Sequence, residues 1–82
     1  MQQEINKIKD KKDFLNFIGQ FIQDFYNNGD SWENNKLNTF LEGMESWVED
    51  MEGYYENMNL PIPENIDWRI FADILYAAKM YE

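Results

Sequence analysis

Carboxylates are the side chains of this 82-residue chain with the most capacity for chemistry, and they concentrate in residues 30–56. That stretch holds eight acids and one lysine. Neighbouring carboxylates can act as a general acid and base, or can bind a divalent cation. Five of them recur at spacings of 3, 4, 3 and 4 residues, which places them on one face of a helix. This glutamate ladder consists of Glu42, Glu45, Glu49, Glu52 and Glu56.

The other residue types limit that chemistry. The chain contains no cysteine and no histidine, which excludes thiol catalysis and removes the commonest general base and metal ligand. An EF-hand loop starting at Asp24 would place Gly29 correctly, but Asn35 would stand where the bidentate glutamate is required. No phosphate-binding loop or nucleophile motif is present. We therefore predict no enzyme, no metal site and no cofactor, with a carboxylate-dependent metal hydrolase as the enzyme-class alternative.

The net charge of −9 bears on the class of partner. A surface of this sign repels phosphate backbones and anionic lipids, so we expect neither nucleic acid nor membrane as a partner. It attracts basic proteins by steering their encounter. The polar first residues lack the apolar region of a secretory signal, and no run of about 20 apolar residues could span a bilayer. We therefore expect a cytoplasmic location.

Apolar residues recur at three- and four-residue spacing in three segments, which predicts three amphipathic helices. They are predicted over residues 11–27, 35–52 and 68–81; the second stripe continues past Gly53, which makes residue 58 an alternative end. No segment alternates convincingly as a strand. Three such helices with short connections predict an all-α fold, a compact bundle of about three amphipathic helices.

The helix ends and the domain limits are also predicted. The N-cap residues are predicted to be Asp10 for the first helix, Ser31 or Asn34 for the second and Asp67 for the third. Gly29 and the asparagine before it are predicted to end the first helix, because both tolerate a left-handed conformation. We expect one domain over residues 1–82, with residues 1–9 as a loose N-terminal extension.

The glutamate ladder flanks the apolar stripe of the second helix and has three interpretations. It is the solvated face of an exposed helix, a face kept acidic for a partner or, least favoured, a carboxylate metal cluster. The first interpretation carries a cost of a few tenths of a kcal/mol for each like-charged pair. No lysine is interleaved with the glutamates to offset that cost.

The three tryptophans fall at different places on the predicted helices. Trp47 lies on the stripe of the second helix and is predicted to be in the core. Trp32 and Trp68 lie at helix ends, where core positions are again the simplest prediction. If exposed, these two side chains are candidate anchors for a partner, because buried tryptophans often dominate the energy of interfaces.

A longer pattern resembles a known family. Its first part fits a W-E-N-x-x-L-x-x-F-L-x-x-M-x-x-W signature, in Trp32-Glu33-Asn34, Leu37, Phe40-Leu41, Met44 and Trp47. Its second part comprises Tyr55, Pro63, Trp68-Arg69, Phe71-Ala72, Ala77-Ala78 and the final Tyr81-Glu82. Together they resemble a family of small, acidic, uncharacterised bacterial proteins described as a domain of unknown function. The resemblance covers residue 10 to the C-terminus and implies a bacterial, cytoplasmic, stand-alone domain, but no activity or cofactor.

The preferred hypothesis is a non-enzymatic protein–protein interaction module that docks a basic partner on the glutamate ladder. One version is an immunity- or antitoxin-like protein that masks a basic nuclease. The alternative is a homodimeric structural domain with no partner for its acidic face, so that monomer and homodimer both stay open. Its self-complementary patch would consist of Met44, Met51, Tyr54 and Met58.

Overall fold

A computed structural model describes residues 2–81 and contains four α-helices in this range. They are α1 (Gln2–Ile5), α2 (Lys11–Asn28), α3 (Leu37–Asn57) and α4 (Trp68–Ala78), with a 3₁₀ turn over Gly29–Ser31. The described range holds no strand, so the predicted all-α fold is confirmed. None of these helices combines the length and the apolar character needed to cross a lipid bilayer.

Helix α2 begins as its sequence predicts and ends for a different reason. The Asp10 side chain accepts a hydrogen bond from the backbone N–H of Asp13 at 2.9 Å, as an N-cap residue does. At the other end Gly29 has φ −57° and ψ −28°, so it is right-handed and leads directly into the 3₁₀ turn. The predicted left-handed termination is therefore wrong, although the helix ends where it was expected to.

Helix α3 begins later and runs further than the shorter prediction. Neither Ser31 nor Asn34 caps it; the N–H of Lys36 donates instead to the hydroxyl oxygen of Thr39 at 3.3 Å. The helix passes through Gly53 and ends at Asn57. Asn59 then adopts a left-handed φ of 58°, and the N–H of the next residue donates to the Tyr55 carbonyl at 2.9 Å. These features form a Schellman-type termination.

Helix α4 begins at its predicted cap and ends three residues early. The Asp67 side chain accepts from the N–H of Ile70 at 2.8 Å. The helix was predicted to reach residue 81 but stops at Ala78. The Ala78 carbonyl accepts a hydrogen bond from the side-chain amide of Asn34, and the Lys79 carbonyl just after the helix accepts from the Asn34 backbone N–H. A partner from a distant part of the chain therefore ends this helix.

Helix α4 is the central element, because both α2 and α3 pack on it, and α1 contacts it as well. Two clusters of buried side chains fill these contacts, one around Phe17 and Ala72 and one around Trp47 and Ile70. Ile5 is fully buried and Ile8 nearly so, both in the first cluster. Residues 3–9 therefore do not form the loose extension that was expected; Met1 lies outside the described residues.

Candidate functional site

The glutamate ladder lies along the outer face of α3. All five side chains are exposed. The buried side of the same helix is formed by Gly43, Trp47, Met51 and Tyr55. On a helix that advances about 100° per residue, the centre of the ladder lies about 160° from the centre of that buried side. The ladder is therefore almost opposite the core, although it still borders the exposed part of the apolar stripe.

No cation offsets the ladder within the described residues. Between residues 2 and 81, no ion pair joins a ladder glutamate to a lysine or arginine. Nor does this part of the chain bring three acidic side chains close enough to hold a metal ion. The like charges therefore repel one another at a cost of about 0.2–0.5 kcal/mol per neighbouring pair. The ladder can offer this acidic surface to a cation from outside the chain.

The apolar stripe of α3 is only partly in the core. Trp47 and Met51 are buried as predicted, but Leu37 is 75% exposed, Leu41 51% and Val48 40%. Gly43 lets the end of α4 approach α3 closely, so α3 buries the side that carries Gly43. The three exposed residues lie at the edge of that side. An apolar stripe normally marks the core side of a helix, but the outer edge of this stripe lies at the surface.

A groove lies between α2 and the start of α3. It has a volume of about 390 Å³. The α2 side is formed by Ile22, Phe25 and Tyr26, and the α3 side by Leu37 and Phe40. Phe21 and Trp32 form its floor, and their rings lie 4.7 Å apart. The groove exists because α2 and α3 pack mainly on α4 rather than on each other.

Trp32 belongs to this floor and is not an exposed anchor. Its side chain is 7% exposed, and its indole N–H donates to Asp24 Oδ2 at 2.8 Å. The same oxygen accepts from Lys79 Nζ at 3.1 Å, and this ammonium group lies 5.2 Å from the Trp32 ring centre. The hydrogen bond from Trp32, with help from Lys79, lowers the pKa of Asp24 against the opposing effect of burial. Trp32 thus ties the turn after α2 to the end of α4.

Trp68 keeps more of the exposure that an anchor needs. It is 41% exposed at the first position of α4, and its ring centre lies 5.2 Å from that of Phe14. Lys79, which contacts Trp32, comes 11 residues later at the other end of α4, about 16 Å along a helix. The structure therefore does not bring the two candidate anchors together into one surface.

Two residues that position α3 were missed in the sequence. Asn34 is buried, and its side-chain amide donates to the carbonyls of Ala78 at 2.8 Å and Tyr81 at 2.6 Å. A Cβ on Gly43 would lie 2.5 Å from that amide nitrogen. A glycine inside an amphipathic helix is a signal of close approach, but the sequence does not say which element approaches. The role predicted for Asn34 was the start of α3, whereas its side chain caps the end of α4.

Two further contacts fix α3 to the C-terminal part of the chain. The buried Tyr55 hydroxyl donates to Asp73 Oδ2 at 2.7 Å, and the Tyr81 hydroxyl donates to Asp50 Oδ2 at 2.6 Å. Burial raises the pKa of Asp73 and, together with the Asp73 charge, that of Tyr55. The first pair joins α3 to α4, and the second joins α3 to the segment after α4, so both help to hold α3 in place.

Comparisons with known proteins extend to the family level. A family model described as "Family of unknown function (DUF7660)" matches residues 10–82. No curated protein and no solved structure matches the chain significantly. The match therefore covers helices α2, α3 and α4. Glu82, the last residue of the sequence pattern, lies outside the described residues.

Proposed function

The chain belongs to a family of unknown function, DUF7660, and we propose that it is a non-enzymatic protein–protein interaction module. The glutamate ladder of α3 is its docking surface, and the partner is a basic protein. The supporting observation is that all five glutamates are exposed and that none is paired with a cation in residues 2–81. A bacterial cytoplasmic location is part of this proposal.

The geometry of the ladder suits a basic partner. From Glu42 to Glu56 the helix advances 14 residues, or about 21 Å. The contacts of Asn34 and Tyr55 with α4 and the turn after it hold this helix in place, so the carboxylates keep a fixed spacing. Fixed charges of one sign steer an oppositely charged protein and increase its association rate. The repulsion within the ladder is relieved when lysines or arginines of a partner approach.

One version of this function is an immunity- or antitoxin-like protein that masks a basic partner such as a nuclease. The argument for it is charge complementarity between a small acidic protein and a basic surface. In this version the complex forms quickly at low ionic strength, and its association rate decreases as salt screens the charges.

The alternative function is a homodimeric structural domain. The patch predicted for it is largely unavailable, because Met51 is buried and Met44 and Tyr54 pack against the second core cluster. Met58 is the one member of that patch with a large exposed fraction. Sedimentation at micromolar concentration distinguishes the two functions, since a strict monomer excludes the homodimer.

Affinity capture from cells that naturally produce the protein tests the proposal. The native chain is compared with the double variant Glu45→Lys and Glu49→Lys. We expect the native chain to retain a basic protein that the double variant loses, and added salt to weaken its retention. Recovery of no basic partner, or equal recovery by the double variant, would contradict the proposal.

A further inference from the structure

Helix α3 carries an exposed apolar seam beside the glutamate ladder. The seam consists of the exposed Leu37, Leu41 and Val48 and, at its inner edge, of Met44, which also packs against the second core cluster; their spacings of 4, 3 and 4 residues are those of a helix that packs against another helix. Met44 is half-buried, and the other three are exposed. The described chain does not cover this edge of α3. The seam thus has the pattern of a helix–helix contact but lacks its second helix.

The seam opens into the groove between α2 and α3. Leu37 belongs to both, so the groove and the seam form one continuous apolar surface, the α2–α3 groove. Across it stand Ile22, Phe25 and Tyr26, which are spaced as i, i+3 and i+4 and therefore share one face of α2. Tyr26 is 76% exposed, and its ring is available for contact.

A helix is the occupant that this shape favours. Helices α2 and α3 both pack on α4 and leave a channel between them. The side chains that line such a channel recur at the three- and four-residue spacing of a helix. A third amphipathic helix fits such a channel by placing residues i, i+3, i+4 and i+7 between the walls. An extended peptide usually binds by adding to the edge of a sheet, and residues 2–81 contain no strand.

Charge selects the kind of helix. Leu41 has Glu45 four residues later, and Val48 has Glu52 four residues later, so these two exposed seam residues each adjoin a ladder glutamate. A helix lying along the seam therefore has one flank beside these carboxylates. A second copy of this chain would bring another net charge of −9 and its own ladder to that flank. A helix with lysine or arginine on this flank is complementary instead.

We propose that the α2–α3 groove binds an amphipathic helix of a partner protein, with apolar side chains in the groove and basic side chains against Glu45 and Glu52. This inference deepens the proposed function, on which it rests, by naming the element that the partner contributes. Lys36 lines the groove at the start of α3, so the basic flank belongs further along α3, beside the ladder.

The probe is a synthetic 18-residue helical peptide with leucines at alternating spacings of 3 and 4 and lysines along one flank. A second peptide has the same composition in scrambled order, and therefore the same charge without the apolar face. Each is titrated into the ¹⁵N-labelled chain while amide resonances are followed. We expect the first peptide to shift amides in residues 22–26 and 37–48, and to bind at least tenfold more tightly than the scrambled one.

Two pairs of variants test the location. Tyr26→Gln with Leu37→Gln removes exposed apolar groups from the groove, and we expect it to weaken binding at least tenfold. Ile66→Gln with Met80→Gln removes exposed apolar groups outside the groove and is expected to leave binding unchanged. The proposal is overturned if the first peptide does not bind, if the scrambled peptide binds equally, or if the groove variant keeps its affinity. If the chain dimerises and Leu37→Gln abolishes the dimer, the proposal is also overturned, because the groove then binds a second copy of this chain.

A charge variant separates this inference from the function on which it rests. Glu45→Gln with Glu52→Gln keeps the groove and removes the two ladder charges that lie beside the bound helix. If this variant weakens binding while the groove variant does not, the ladder docks a partner but the helix-in-groove inference fails. If the groove variant weakens binding while the charge variant does not, the groove binds a helix and the role of the ladder fails.

Discussion

Replacing Gly43 by alanine is predicted to destabilise the protein, although alanine is the better helix former. A Cβ at position 43 would lie 2.5 Å from Asn34 Nδ2, 2.7 Å from the Ala78 carbonyl oxygen and 2.8 Å from that of Tyr81. The last two are backbone atoms, so rotation of the Asn34 side chain cannot relieve the clash. Helix α3 must therefore move away from the end of α4.

The magnitude follows from three contributions. Alanine gains about 1 kcal/mol over glycine in a helix interior. Inserting a methyl group into a filled contact costs about 1–3 kcal/mol. Moving the Asn34 amide breaks its two hydrogen bonds to carbonyls, at about 1 kcal/mol each. The net loss in the free energy of unfolding is about 2–4 kcal/mol, or at least about 8 °C in Tm for a domain of this size.

The matched control is Gly53→Ala in the same helix, where a Cβ would meet nothing within 4 Å. There the helix propensity acts alone, and we expect a gain of about 0.5–1 kcal/mol. Urea and thermal unfolding, followed by circular dichroism, measure both variants under the same conditions. If Gly43→Ala is as stable as Gly53→Ala, the close approach of α3 and α4 at this point is refuted.

Three further substitutions test the core and its titrating groups. Ile5→Ala, at a fully buried side chain, should lower the free energy of unfolding by about 2–4 kcal/mol, and a loss below about 0.5 kcal/mol in urea unfolding would mean that the N-terminal segment is loose. Asp24→Asn should lower the free energy of unfolding by about 1–2 kcal/mol at pH 7. Because the pKa of Asp24 is lowered in the fold, this stabilisation should disappear as pH falls below about 3.9 and through the lowered pKa. A cost that does not change with pH would contradict a charged Asp24 in this contact. The raised pKa of Asp73 acts in the opposite direction, so this group should cost the native chain stability as pH rises from about 3.9 through the raised pKa. Asp73→Asn keeps an amide oxygen that can accept from Tyr55 and should depend less on pH in its free energy of unfolding. Identical pH profiles for the two proteins would exclude an effect of Asp73 titration on stability.

Local signals in the sequence were sufficient to predict the three longer helices, although not all of their ends. The caps Asp10 and Asp67 hydrogen-bond backbone groups within three residues, so their neighbours alone predict them. The passage of α3 through Gly53 could be anticipated because the apolar stripe continues to Met58. Both kinds of prediction depend on interactions within one helix, and such interactions can be read from spacing.

Contacts between distant residues could not be predicted in this way. The Asn34 side chain meets carbonyls 44 and 47 residues later in the chain, and its local context suggested a cap of the next helix. The early end of α4 depends on the same side chain. Ile5 is buried because α1 contacts α4, which the polar sequence of the first residues does not reveal. These positions depend on the packing of helices against one another.

The candidate site was predicted in part. The ladder could be recognised from its spacing, and the structure places all five of its side chains at the surface. The groove beside it could not, because Leu37 and Leu41 continue a stripe that normally indicates core. Helix α3 packs on α4 through the side that carries Gly43, which leaves Leu37 and Leu41 exposed. A helical wheel centred on the apolar residues does not predict this orientation of α3. The contact between Gly43 and the end of α4 therefore determines which apolar residues of α3 stay exposed.

Docking of a basic partner on the glutamate ladder can be tested by measuring the affinity of two variants for the captured protein. Glu45→Gln with Glu49→Gln and the single variant Glu64→Lys change the net charge by the same two units, but Glu64 lies outside α3. Dissociation constants measured at one salt concentration separate a docking surface from general attraction. We expect at least tenfold weaker binding for the ladder variant and little change for Glu64→Lys; an equal loss of affinity in the two variants would rule out docking on the ladder.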